Sequence, residues 1–367
     1  MPLRILHLTA ASDAGGLSRY LLDLTQGLRS RGHQVTIAGG VGPWHDRFAA
    51  AAIPWIDLPL RGGPIGLFRA VGTLRQYLAQ NPTDILHTHY RKPTLVARRV
   101  AGQFKIPILY TVHQPRINLA GPWGWLSDFG DHVHAPSQDA RRWLIDDAKV
   151  PEERITVIPH GIDAARFPLR DAATKAAARA LLGISPTITV AAFVGRLDVP
   201  KNADWMLDVA QASRSALPDL KIILTGDGPQ SADLHRAVEQ KNLSDRVLLL
   251  GERDALPVYQ AADALLSPSL REGFGLACAE AMCVGVPVLR TRTGGAEEMI
   301  HESVTGRGVP VDRAAFTAAA VEFLADRSAL EKMGQAAGEL IRREFTLDQQ
   351  IDRTIALYKR LRQIKSR

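Results

Sequence analysis

Apolar runs of strand length alternate with stretches of helical spacing along the first half of the chain. RILHLTA is the first such run, and GGLSRYLLDLTQGLRSRGH follows it with Leu and Tyr at helical intervals. QVTIAGG and WIDLPL read as the next strands, and PIGLFRAVGTLRQYLAQ as a helix with Leu67, Val71, Leu74 and Leu78 on one face. DILHTH and PILYTVH are further strands with a basic helix around Arg98 between them, and HVHAPS and ITVIPHG complete the set. Strands separated by helices in this way predict a parallel sheet covered on both faces. Between about Phe167 and Ile184 the pattern breaks into an Ala-rich helix that ends at a Gly and a Pro. It restarts with ITVAAFVG, KIILTGD, RVLLLGE, ALLSPS and VPVLRT, and the final LDQQIDRTIALYKRLRQIKSR is helical with no strand left to serve. The expectation is an α/β chain of two consecutive doubly wound units joined near residue 170.

Length agrees with that count, because 367 residues exceed what one ordinary core supports. Apolar residues make up 46% and charged residues 23%, the composition of a soluble globular protein. No apolar run is long enough to cross a bilayer. The opening MPLRILHLTAAS reads as a buried strand and not as a signal peptide. Cys278 and Cys283 lie five residues apart in an Ala-rich helical pattern, which fits neither a redox pair nor a zinc site. Buried reduced thiols in a cytoplasmic setting are expected.

Charge changes the picture more. The formal net charge of +7 is unevenly spread. Between Leu58 and Leu126 stand nine basic residues (Arg61, Arg69, Arg75, Arg91, Lys92, Arg98, Arg99, Lys105, Arg116) and one acid, Asp84. Such a field attracts phosphates on a substrate or an anionic lipid, although a solvated basic surface gives the same composition. No recognition motif supports nucleic-acid binding.

The densest chemical signal is SPSLREGFGLACAEAMCVGVPVLRT. A strand ends at Ser267, a loop carries Glu272, Gly273, Phe274 and Gly275, and a helix then carries Glu280. Ligands of open α/β sheets bind beyond the carboxyl ends of the strands, where a helix N-terminus offers free N–H groups to a phosphate. Glu280, five residues past Gly275, stands roughly 7–8 Å along the helix axis, about the reach from a nucleotide's phosphate to its ribose. Taken singly, Glu280 also reads as a solvated helix residue and Glu272 as a cap. In FVGRLDVPKNADWMLDVA, Arg196 and Lys201 follow another strand, and two cations there can clamp a diphosphate. Ser12-Asp13-Ala14-Gly15-Gly16 after the first strand permits close backbone approach, but it lacks the GxGxxG spacing of a dinucleotide fingerprint, and taken alone it reads first as a plain turn. Among the histidines, His87 and His89 alternate on a strand with no third ligand at a compelling spacing, so no zinc site is expected. His113, ending a strand in TVHQP, is the better active-site candidate of the four that include His160, with a hydrogen-bonded structural histidine the alternative for each.

With these residues assembled, the chain resembles glycosyltransferase family 4, also called the glycosyl transferases group 1 family. GGLSRYLLDLTQGLRSRGHQVTI resembles the opening loop and first helix, VIPHGIDAARF the domain-exit motif, and FVGRLDVPKN the donor-phosphate loop. LTGDGP resembles the following strand and turn, and EGFGLACAE the E-x7-E motif, with GVPVLRTRTGGAEEMI behind it. The resemblance implies a GT-B fold, two Rossmann-like doubly wound parallel-sheet domains facing a central cleft. It implies an acceptor domain over 1–168, a nucleotide-sugar domain over 169–345, and a helix over about 346–367 that packs back on the first.

The resemblance also assigns roles. Arg196 and Lys201 would bind the donor diphosphate, with Gly15 and Gly16 approaching it. Glu280 would bind the ribose and Glu272 the transferred sugar. Backbone amides near Phe274, Gly275 and Leu276 would hold sugar and phosphate, His113 would be the active-site histidine, and Glu252 would lie near the base. The implied chemistry is retaining transfer from a nucleotide-diphosphate sugar to an acceptor hydroxyl, with no cofactor and no bound metal, as a cleft closes. His160 stands where many members carry Asn, and Arg290 and Arg292 flank a segment often less basic, which leaves detail on the acceptor side open. A sugar, lipid-linked or phosphorylated acceptor is expected, in cell-envelope glycan or glycolipid synthesis. Arg69, Arg75, Trp123 and Trp125 suit docking at the inner face of an anionic membrane. A nucleotide-sugar epimerase of the same fold and a non-catalytic GT-B subunit are the alternatives. The first is disfavoured by the Arg196–Lys201 and Glu272–Glu280 combination, the second by the four residues all being present.

Overall fold

A computed structural model describes residues 1–365 except 14, 61, 62, 122, 123, 125 and 126. Trp123 and Trp125, and Arg61 of the basic set, therefore lie outside the described residues, as does Ala14 of the first glycine turn. The chain divides into two compact units, Met1–Gly161 with Leu347–Arg367, and Ile162–Thr346. The division falls at Gly161 and not at residue 168 because Ile162 and Phe167 are already buried in the second unit's core.

The first unit is built on seven parallel strands: β1 (Arg4–Ala11), β2 (Gln34–Gly40), β3 (Trp55–Asp57), β4 (Ile85–His89), β5 (Ile108–Thr111), β6 (His132–Ala135) and β7 (Ile155–Val157). Their order is β3-β2-β1-β4-β5-β6-β7, so the winding reverses between β1 and β4. Side chains alternate across the sheet, and the two faces differ in kind. Leu6, Leu8, Leu86 and Ile108 face Leu74, Val96 and Val100 in an apolar core under the helices Gly63–Gln80 and Arg91–Phe104. The opposite face carries His7, His87, His89, Thr111 and His134, all buried. Register places His7 beside His87, His89 beside Thr111, and Thr111 beside His134.

Polar groups on a buried face need partners. Many come from the helix Leu347–Lys365, far away in sequence. Tyr358 Oη lies 2.6 Å from His87 Nδ1, Arg360 donates to Thr156 Oγ1 at 2.8 Å, and Gln350 Oε1 accepts from Gly161 N at 2.6 Å. On the outer edge Arg31 bonds Asp348 at 2.7 Å and Asp352 at 2.9 Å, joining this helix to Gly16–Ser30.

The second unit has six parallel strands: β8 (Val190–Val194), β9 (Lys221–Thr225), β10 (Val247–Leu249), β11 (Ala264–Ser267), β12 (Val288–Thr291) and β13 (Gly306–Val309). Their order is β10-β9-β8-β11-β12-β13, with the reversal between β8 and β11. β13, Gly-Arg-Gly-Val, is absent from the sequence expectation because two glycines and an arginine give no apolar run. The Ala-rich helix expected between the units is Ala172–Leu181, part of this unit and opened by a capping box between Asp171 and Thr174. Cys278 and Cys283 are both buried free thiols.

Candidate active site

The reversal points are where an open parallel sheet leaves room for a ligand. In the second unit the loops after β8 and β11 are stitched to each other. Leu270 N donates to Pro200 O at 2.8 Å, and the amide of Asn202, itself in the left-handed region at φ 51°, donates to Pro268 O at 2.9 Å. This brings Lys201 onto Glu272, Nζ to Oε1 2.5 Å, with Ser269 Oγ donating to the same oxygen at 2.8 Å. Burial by itself would raise the Glu272 carboxyl. The Lys201 ammonium and its hydrogen bond, then Arg290 and Ser269, outweigh burial and hold the carboxyl below its ordinary value. Glu272 is therefore a carboxylate beside a fixed ammonium. Arg196 projects outward, 59% exposed, with Nε 3.2 Å from Asp198 Oδ2.

The helix Leu276–Val284 begins at Gly275, whose φ of 93° suits a residue without Cβ. A Cβ there would fall 2.9 Å from Arg290 Nη1. Arg290, on β12, is fully buried and donates to Phe274 O at 3.1 Å, Gly294 O at 2.7 Å and Thr293 Oγ1 at 3.2 Å. It holds the Glu272–Gly275 loop from beneath, in direct contact with Phe274. A charged residue in a buried-strand position was the signal, and it stood among the sequence's departures without a role. The Phe274 side chain is also buried, packed near Phe345 with ring centres 5.8 Å apart, so only its backbone can reach a ligand. Leu276 is half-buried in the first turn. One turn further, Glu280 Oε2 accepts from Tyr259 Oη at 2.8 Å, and burial together with Glu280 raises that phenol well above its ordinary value. Tyr259 and Ser269 were both missed from sequence: Tyr259 meets its glutamate only through the fold, and Ser269 lies in the same loop as Glu272 with no motif to mark it. Glu252 is exposed just past β10, the edge strand two places from β8.

In the first unit, Gly15 (φ 131°) and Gly16 lead from β1 into the helix Gly16–Ser30, on the β1 side of the reversal. His113 follows β5 and is half-buried. His89 Nδ1 lies 3.0 Å from His113 Nε2, and His7 Nδ1 lies 2.9 Å from His89 Nε2. His87 spans Tyr358 Oη and Thr111 Oγ1, both at 2.6 Å, and Thr111 meets His134 Nδ1 at 3.0 Å. Tyr20 sits over His113 and His160, ring centres 5.0 and 4.5 Å away. Burial lowers the imidazoles, His7 and His113 to about 3 and His134 to about 4, so all are neutral at pH 7. The sequence showed no third companion for His87 and His89, but the sheet supplies His7 from β1. Ligand nitrogens of the three lie within 4.8 Å of one another.

Comparison with known proteins follows this geometry. Residues 14–166 match the model for Glycosyltransferase Family 4, and residues 188–326 match that for Glycosyl transferases group 1. The D-inositol 3-phosphate glycosyltransferase of Nocardia farcinica is 28% identical over 371 residues, covering 89% of this chain and 80% of the relative. The enzyme of that name from Mycobacterium leprae strain Br4923 is 28% identical over 95% of this chain and 89% of its own. Among solved structures, a glycosyltransferase from Rickettsia africae superposes with a TM-score of 0.83 at 18% identity, covering 98% of each chain. HepE from Anabaena, in complex with UDP and glucose, gives 0.81 at 23% identity over 96% of this chain and 99% of that one. The fold is therefore that of the GT-B enzymes, with one Rossmann-like sheet in each unit. Two family models in tandem along most of the sequence, on this fold, place the chain in glycosyltransferase family 4, enzymes that transfer sugars from nucleotide-sugar donors.

Proposed function

We propose that the protein transfers its sugar with retention of anomeric configuration, without a bound metal, to a phosphorylated polyol. The observation that carries the chemistry is the Lys201–Glu272 pair at the second unit's reversal point, between Arg196 and the N-terminus of the helix Leu276–Val284. Arg196, Lys201 and the first-turn amides supply positive charge where a diphosphate leaves, which is the work a divalent cation does elsewhere. Glu272 accepts from hydroxyls of the transferred sugar, and Glu280, steadied by Tyr259, accepts from the ribose hydroxyls. Backbone amides at Phe274, Gly275 and Leu276 hold sugar and phosphate, and Glu252 stands toward the base. In the first unit, Gly15 and Gly16 let a phosphate oxygen approach the backbone, and His113 meets a substrate hydroxyl. As the anomeric carbon–oxygen bond to the diphosphate breaks, the acceptor hydroxyl attacks from the same face. Its proton passes to the departing phosphate oxygen. A phosphorylated acceptor is supported by the names of the relatives and by the first unit's basic surface. Arg91 and Lys92 open the helix that follows β4 there.

A thermal-shift panel of UDP, GDP, ADP and their sugar conjugates tests the donor site. One nucleotide should raise the Tm, and Arg196→Ala and Glu280→Ala should each abolish the shift with EDTA present. A shift that needs magnesium removes the metal-free reading. Anomer analysis of the product by NMR checks retention, and an inverted product ends the same-face mechanism.

A second feature favours work at an anionic membrane in cell-envelope synthesis. On the helix Gly63–Gln80, Ile65 and Phe68 are 68% and 81% exposed, beside exposed Arg69 and Arg75. Apolar side chains flanked by arginines suit a headgroup interface, and among the described residues no helix is long and apolar enough to cross the membrane. The protein should co-sediment with phosphatidylglycerol vesicles at low salt, and Ile65→Ser/Phe68→Ser should release it. Equal sedimentation of that double variant would leave the arginines as a phosphate-attracting surface only.

A further inference from the structure

We propose that His89 and His7 are positioning residues that fix the tautomer and ring plane of His113 through an unbroken line of imidazole hydrogen bonds. Parallel pairing builds the line. His7 on β1 and His89 on β4 share one face of the sheet, and His113 follows β5, the next strand over. Its two links, His7 Nδ1 to His89 Nε2 and His89 Nδ1 to His113 Nε2, are 2.9 and 3.0 Å.

Each link between neutral rings needs one N–H and one lone pair, so the line has a direction. Burial keeps His7, His89 and His113 neutral, and the surrounding His87, His134 and His160 as well. Tyr20 and Tyr358, packed on the same cluster, keep their protons. His7 Nε2 is buried with no partner, and this end chooses the direction. A buried N–H without an acceptor is rarer in proteins than a buried acceptor without a donor. His7 therefore carries its proton on Nδ1 and donates to His89, and His89 donates from Nδ1 to His113 Nε2. His113 is left with its proton on Nδ1, the nitrogen that none of the described residues engages. The half-buried ring thus presents a donor, not a lone pair, to an oxygen of the substrate. This selects an acceptor oxygen, hydroxyl or phosphate, and it rests on the reading of His113 as a substrate contact.

Two of these rings, His7 and His89, form with His87 a trio that invites comparison with a metal centre. Around a tetrahedral zinc with Zn–N of about 2.0–2.1 Å, ligand nitrogens stand about 3.4 Å apart. Here the spread reaches 4.8 Å, and both nitrogens of His87 and of His89 are already in hydrogen bonds. The hydrogen-bonded line accounts for the positions without an ion.

Long-range 1H–15N spectra of the full-length protein labelled with 15N-histidine report the tautomer of each ring, with His113 assigned by its loss in His113→Asn. His113 should be protonated on Nδ1 in the unaltered protein. In His89→Leu and His7→Leu that preference should give way to a mixture, with kcat down roughly 10-fold and KM little changed. His89→Asn, whose amide nitrogen takes the place of Nδ1, should recover most of the turnover. A proton on His113 Nε2 in the unaltered protein overturns the proposal even if no leucine variant folds. So does an unchanged His113 pattern in His89→Leu, or stoichiometric zinc in the purified protein. Full turnover in His113→Ala would instead remove the role given to His113 and leave the spectral result standing.

Discussion

A guanidinium with no water around it must find its acceptors in the protein, and Arg290 takes two carbonyls and a hydroxyl from the loops that follow β11 and β12. Those loops carry the residues proposed to meet a donor, so on that reading a core side chain sets the geometry of a surface site. Arg290→Met keeps length and removes the donors that Arg290 offers to Phe274 O and Gly294 O. A loss of about 3 kcal/mol in urea unfolding is expected, with weaker nucleotide binding. Arg290→Lys should recover less than half of it, because one ammonium cannot span acceptors placed for a planar fork. If Arg290→Met is neutral, the loop holds itself. The candidate residues Glu272, Glu280, Arg196 and Lys201 could be picked out because their spacing along a loop and a helix is local. Tyr259 could not, since it meets Glu280 only across an intervening strand, while Ser269 and Arg290 act within neighbouring loops through contacts that no residue spacing announces.

At the scale of elements, the helix Leu347–Lys365 is tied to the first unit by an apolar stripe of buried Ile351, Ile355, Leu357 and Leu361 and by polar contacts beside it. Tyr358 is its deepest anchor, fully buried with its hydroxyl on His87. Tyr358→Phe keeps the ring and leaves His87 Nδ1 without a partner. It should cost about 1–2 kcal/mol in chemical denaturation, and an unchanged midpoint would show that the ring's packing alone holds the helix. Twelve of the strands announced themselves as apolar or β-branched runs, because both faces of a parallel sheet are covered. The histidine face hid inside those same runs. RILHLTA and DILHTH read as strands whatever their polar positions do, and only the crossover order β1-β4-β5-β6 reveals that the polar positions meet.

For the whole molecule, buried neutral histidines tie stability to pH. His7 and His113 titrate near 3 and His132 and His134 near 4 in the folded chain, all depressed first by burial, whereas unfolded imidazoles titrate near 6.5. Between those values the unfolded chain binds more protons, so stability rises with pH. The contribution is complete above about 6.5 and is lost progressively as pH falls toward 4 and then 3. Urea midpoints should drop steadily from pH 7 to pH 5. Glu272, Asp84 and Asp263, held below their ordinary values, add their own loss only at lower pH. A flat midpoint across pH 5–7 would mean the histidine cluster already takes up protons in the folded state. Two units could be read from the sequence because the strand pattern stops and restarts, while their division at Gly161 could not, because the segment after it looks like loop until Ile162 and Phe167 find their core.

The return of Leu347–Lys365 to the first unit also sets an order of events during synthesis. Everything the second unit needs, Ile162–Thr346, is translated before the helix that covers the histidine face. The half of the enzyme that begins first is thus finished last, and its polar sheet face waits uncovered through about half the translation time. A nascent chain stalled with Thr346 just outside the exit tunnel should already hold a protease-resistant second unit beside a first unit that is still readily cut.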